Sequence, residues 1–141
     1  MRSMILIILC CTSFMLAEDT EENTPHDALK LGIKLLKTED YEGFYKKMFT
    51  DEVHKIPEAR RKGPYKKILS EKKEVLLKRF QTALKIQPQF GTYDKRKAAY
   101  FPFAQQTKDK MGFILLLENQ HYKFGLSETV GQSTLNHVVF D

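Results

Sequence analysis

MGFILLLENQHYKFGL, residues 111–126, decides how this chain folds. From Met111 to Leu117 the stretch is apolar apart from Gly112, Asn119-Gln120 offers a two-residue turn, and a second apolar-rich run follows. Two apolar runs around a short polar break predict a β-hairpin. With Asn119 and Gln120 as the loop, Leu117 faces Tyr122, Leu115 faces Phe124 and Phe113 faces Leu126, all on one side of the ribbon. The other side carries Ile114, Leu116, Lys123 and Gly125 and is apolar on one strand only. One face of the hairpin is thus expected in a core.

Upstream of the hairpin, Pro88 and Gly91 end any helical pattern, and Phe90 and Tyr93 read as a first, edge-like strand. Asp94-Lys95-Arg96 is a turn. Residues 97–105, KAAYFPFAQ, form a second strand that Pro102 confines to an edge or a bulge, and residues 107–110 are a loop. Before residue 88 the period is helical. Thr24-Pro25-His26-Asp27 reads as an N-cap, a proline in the first turn and a variant capping box. Leu29, Ile33 and Leu36 then recur at helical spacing, Leu31 and Leu35 widen the stripe, and the helix is expected from Pro25 to Lys37. Thr38-Glu39-Asp40 starts a second helix with acids in its first turn, and Tyr41, Phe44, Tyr45, Met48 and Phe49 give it one aromatic face.

A short helix over 51–56 ends at Pro57, and Gly63-Pro64 is a break. A long helix follows over 65–84, with Ser70 as an alternative cap that would kink it. Helices first and strands afterwards argue for α+β, the N-terminal helices lying on one face of an antiparallel sheet in a single domain over 24–126. The tail, 127–141, is mostly polar, but Leu135, Val138, Val139 and Phe140 can add a last short strand or dock on the sheet.

Arg2 precedes an uncharged run over 4–17, MILIILCCTSFMLA, and the polar, acidic EDTEEN follows. A basic start, an apolar centre and a small residue before the cut are the layout of a signal peptide over 1–17, so export to the periplasm or the exterior is expected. A spanning helix needs about 20 apolar residues, more than this run supplies. A lipid anchor on Cys10 or Cys11 is the alternative, but Leu9 stands where that motif wants a small residue. Both cysteines fall in the segment to be removed, so no disulfide is expected and burial must hold the mature domain together. About 124 residues of the 141 then remain, enough for one core. Losing Arg2 lowers the net charge of +5 by one. Residues 18–23 are acidic, lack apolar anchors and read as a flexible lead.

Two stretches, Leu35 to Phe44 (LLKTEDYEGF) and Phe113 to Phe124 (FILLLENQHYKF), resemble the nuclear-transport-factor-two-like superfamily, the cystatin-like α+β cone. The first is similar to its helix, acidic turn and aromatic helix; the second to its C-terminal strand, turn and strand. Where that family often has an Asp-Gly-Lys-Trp type of turn, this chain has Asn119-Gln120-His121-Tyr122. The resemblance implies a curved sheet enclosing a pocket, and often a homodimer through the outer sheet face. It implies no particular reaction, because one fold serves many functions.

Tyr41, Tyr45, Tyr100, Phe103, Phe113 and Leu115 are the candidates to line such a pocket with apolar surface. Phe101 belongs to the same aromatic run. Asp40 could serve as a general base if aromatic surroundings raised its pKa, or it is a helix-start acid beside core aromatics. His26, His54, His121 and His137 lack metal-ligand spacing, so solvent-exposed or capping roles are expected and no metal or cofactor is implied. Ten basic residues lie between Lys55 and Arg79. Of these Arg60, Arg61, Lys62, Lys66 and Lys67 are the candidate contact for phosphate, anionic lipid headgroups or acidic polysaccharide, or else a solvated charged face. Nucleic acid is disfavoured by export and by the lack of aromatics interleaved for base stacking.

The chain has no Gly-rich phosphate loop and no Ser nucleophile elbow. A non-catalytic domain that binds a small apolar ligand or a protein partner therefore ranks above a cone-pocket isomerase, dehydratase or cyclase. An envelope-associated structural protein using the basic helical face is the third reading, favoured if Ile114 and Leu116 lie exposed.

Overall fold

A computed structural model describes residues 23–57, 60, 65–103, 111–125 and 131–141. Helix α1, Pro25–Lys37, starts as its caps dictate: the Thr24 hydroxyl accepts from the Asp27 amide, and Asp27 answers on the Thr24 backbone. The Thr24 hydroxyl also donates to Asp27 at 2.7 Å, and these bonds hold that carboxyl below its usual range. The helix ends in a Schellman motif, with Glu39 N–H to Leu36 O and Asp40 N–H to Leu35 O. Glu39 occupies the left-handed position, φ 57°, and its carboxylate takes Lys73 Nζ at 2.8 Å. Asp40 then caps α2, Tyr41–Met48, by accepting from the Gly43 amide at 2.9 Å.

After α2, Phe49 makes a parallel bridge to Phe124. The short α3, Asp51–His54, and the long α4, Tyr65–Ala83, complete the helical half. The described part of α4 runs unbroken past Ser70, whose hydroxyl turns back to Lys67 O, so no kink forms there. Leu69, Leu76, Phe80 and Ala83 form its buried stripe.

The strands are β1, Gln89–Tyr93; β2, Arg96–Pro102; β3, Gly112–Glu118; β4, His121–Phe124; and, after the single turn α5, Gln132–Leu135, the two-residue β5, Val139–Phe140. They form one antiparallel sheet in the order β4-β3-β2-β1-β5. The hairpin register is as expected, with Leu117 opposite Tyr122 and Leu115 opposite Phe124. The expected pairing of Phe113 with Leu126, and the loop at 107–110, lie outside the described residues. Two expectations are corrected: β1, read as edge-like, lies between β2 and β5, and β2 is an inner strand flanked by β1 and β3, not an edge. Pro102 is tolerated because it is the last residue of the strand, opposite Gly112. Gly112 is required there, since a Cβ would come within 2.4 Å of both Phe101 O and the Tyr100 ring.

Alternation sorts the sheet into two faces, and both are covered. Toward the helices point Ala99, Phe101, Phe113, Leu115, Tyr122 and Phe124, which join Leu29, Leu36, Phe44, Phe49 and Phe80 in the main core. Toward the other side point Ala98, Tyr100, Ile114 and Leu116, packed under Leu135 and Val138 from the tail. The fold is thus α+β, with helices preceding a five-stranded open sheet in a single small domain.

Both hairpin turns place non-glycine residues at positive φ: Asp94 and Lys95 at 48° and 61°, Asn119 and Gln120 at 49° and 65°. This is the type I′ pattern, which matches the twist of the flanking strands. Asn tolerates the left-handed region, whereas glutamine is strained there by about 1–2 kcal/mol. Gln120→Gly is expected to stabilise the domain by roughly 0.5–1 kcal/mol net of glycine's entropic cost. The check is a higher urea midpoint at unchanged slope; a lower midpoint would contradict the turn assignment.

Candidate functional site

The expected pocket residues do not share one site. Phe113 and Leu115 are fully buried, and Phe113 is in ring contact with Phe80 at 4.9 Å, Phe103 at 5.0 Å and Phe124 at 5.9 Å. They are core, closed by neighbouring rings. Tyr41 is buried in the same cluster, and Tyr45 packs at its margin against Phe49 and His54. Phe103 stacks under the Arg79 guanidinium, 4.6 Å from the ring. Tyr100 does not join them. It lies on the opposite face, where its hydroxyl donates to Met111 O and burial raises its pKa above the ordinary phenol value.

Asp40 is exposed and its carboxylate is engaged as the α2 cap. Ile114 and Leu116, whose exposure would have favoured an interaction-only protein, are buried beneath the tail. In the basic patch, Arg60, Lys66 and Lys67 are exposed, while Arg61 and Lys62 lie outside the described residues. No group of three or more His, Cys, Asp or Glu suited to a metal occurs among the described residues. No helix among them is long and apolar enough to cross a membrane.

Two histidines hold elements together, which their sequence positions did not announce. His26 on α1 bonds through Nε2 to Ile86 O at 2.9 Å and meets Phe101 edge-on. His54 on α3 bonds through Nε2 to Tyr45 O, also at 2.9 Å. Each is half-buried and ties one element to another.

A cleft of about 350 Å³ opens where α1, α2 and the tip of the β3–β4 hairpin meet. Its floor is apolar: Ala28 and Tyr122 are buried, and Leu31 is partly covered. Its rim is Asn23, Lys46, Lys47, His121 and Lys123. Asn23 is fixed to the hairpin by its N–H to Gln120 O at 2.9 Å, and its side-chain amide faces His121 Nδ1 at 3.4 Å.

Lys123 is already neutralised by Glu118 at 3.3 Å, within a set that also holds Arg96, Glu52 and Asp94. Lys46 and Lys47, both exposed in the last turn of α2, have no acidic partner among the described residues. None of the rim or floor residues was a candidate from sequence. The available signal was Leu31, which widens the α1 stripe and is only partly covered where it packs at the margin of the core. A second hollow of about 360 Å³ touches Tyr93, Asp94 and His137 and is mainly polar.

In comparison with known proteins, no family model, no curated protein and no solved structure matches the chain.

Proposed function

We propose that this chain is an exported, non-catalytic binding domain that seats a small apolar ligand in the cleft between α1, α2 and β4. The observation that carries this reading is the floor of Ala28, Leu31 and Tyr122 at the bottom of about 350 Å³ of open space. That volume is at the small end of the range for ligand sites, and an apolar floor with a few polar rim groups is their usual composition. Export rests on the leader-like residues 1–17. A relation to the nuclear-transport-factor-two-like cone is supported by the order of elements: two helices, the parallel bridge at Phe49, further helix, then an antiparallel meander. The ligand site is thereby moved from the filled inner face of the sheet to its β4 edge.

The chain has no tryptophan, so an uncharged environment-sensitive dye such as N-phenyl-1-naphthylamine can be read without interference. The dye is expected to brighten and saturate at one equivalent of the folded protein. Leu31→Asp removes apolar contact from the floor and is expected to weaken binding by about tenfold or more. Equal binding by Leu31→Asp, with its fold intact by circular dichroism, would overturn the assignment.

A further inference from the structure

We infer that the ligand of this cleft is an amphipathic anion, an apolar body carrying one carboxylate or similar group, whose charged end is received by Lys46 and Lys47. The inference rests on the cleft reading above and adds the chemical class. Among the described residues the cleft lining contains three lysines and no acid. One of the three, Lys123, is matched by Glu118 on the far face of the sheet, which leaves two cations with no acidic partner among the described residues beside an apolar floor.

The lysines are sequence neighbours on α2, and both border the cleft. An apolar body on Ala28, Leu31 and Tyr122 therefore ends beside two ammonium groups. A concave, low-dielectric wall strengthens the field of such charges over what a flat surface would give. A neutral ligand would use the floor alone. A cationic one would meet like charge. The small volume excludes a large body from full seating. The ligand is thus the length of a short fatty acid or an aryl-alkyl carboxylate.

The test compares decanoate, 1-decanol and decylammonium, each below its aggregation limit, as competitors of the dye on the full folded chain. Decanoate is expected to compete about tenfold more strongly than decanol, the gain from two exposed charge contacts. That advantage should shrink as salt rises and the charges are screened. Lys46→Gln with Lys47→Gln is expected to erase the difference between decanoate and decanol, with the melting temperature unchanged because both side chains are exposed. Equal competition by decanoate and decanol, or stronger competition by decylammonium, overturns the anionic class and leaves the apolar site standing. A saturable dye that none of the three displaces overturns this inference without touching the dye result. A dye that does not bind at all removes both readings.

Discussion

Leu115→Asp is expected to leave the domain unfolded. Leu115 is fully buried at the middle of β3, between Ala99 on β2 and Phe124 on β4, in the face that meets the helices. A carboxylate there loses its water and gains no partner, a change that costs at least about 3–5 kcal/mol. A whole domain of this size is held by roughly 5–15 kcal/mol. Thr92→Asp is the control: Thr92 is an exposed strand residue opposite Lys97 and is expected to change stability by less than about 1 kcal/mol. Far-ultraviolet circular dichroism and urea unfolding decide the matter. A soluble Leu115→Asp protein with an unchanged transition would mean that the face has been assigned backwards.

The second large effect is expected at Phe80. Its ring lies parallel to Phe44 at 6.2 Å and to Phe124 at 5.9 Å and meets Phe113 edge-on at 4.9 Å. One residue of α4 thereby joins α2 to the β3–β4 hairpin. Phe80→Ala removes these contacts and leaves a cavity, for an expected loss of about 3–5 kcal/mol. Gly32 on α1 sharpens the test, because a Cβ there would lie 2.7 Å from the Phe80 ring and 3.1 Å from Met48. Gly32→Ala should therefore destabilise the native chain and cost less, or help, when Phe80 is alanine. Urea unfolding of the four proteins gives the coupling directly. Simple additivity, or a loss below about 1 kcal/mol for Phe80→Ala, would show that this ring is not the joint between the layers.

Several elements were legible in the chain because their signals act over a few residues. The Thr24-Pro25-Asp27 box sets the start of α1, and Asn119-Gln120 between apolar runs sets the register of Leu115 and Leu117 against Phe124 and Tyr122. Alternation failed in β2. Residues 98–101 are apolar on both faces and all buried, so period two has no polar side to mark the outside. Nothing local could assign Tyr100 to one layer and Phe101 to the other, or show that β2 is an inner strand. The cleft was illegible for a related reason. Ala28 and Leu31 on α1, Lys46 and Lys47 on α2 and Tyr122 on β4 are distant along the chain, and each has an ordinary local role.

By itself, the sequence determined the order of helices and strands, the caps, the hairpin turn and the inward set of Phe113, Leu115 and Phe124. Each depends on contacts within a turn or across one ribbon. The tertiary structure alone decided that Leu135 and Val138 cover Ile114 and Leu116, that the inner face is filled by rings, and that open space remains beside β4. Those outcomes depend on which surfaces meet and how their volumes fit, and volume is shared among elements that no local pattern connects.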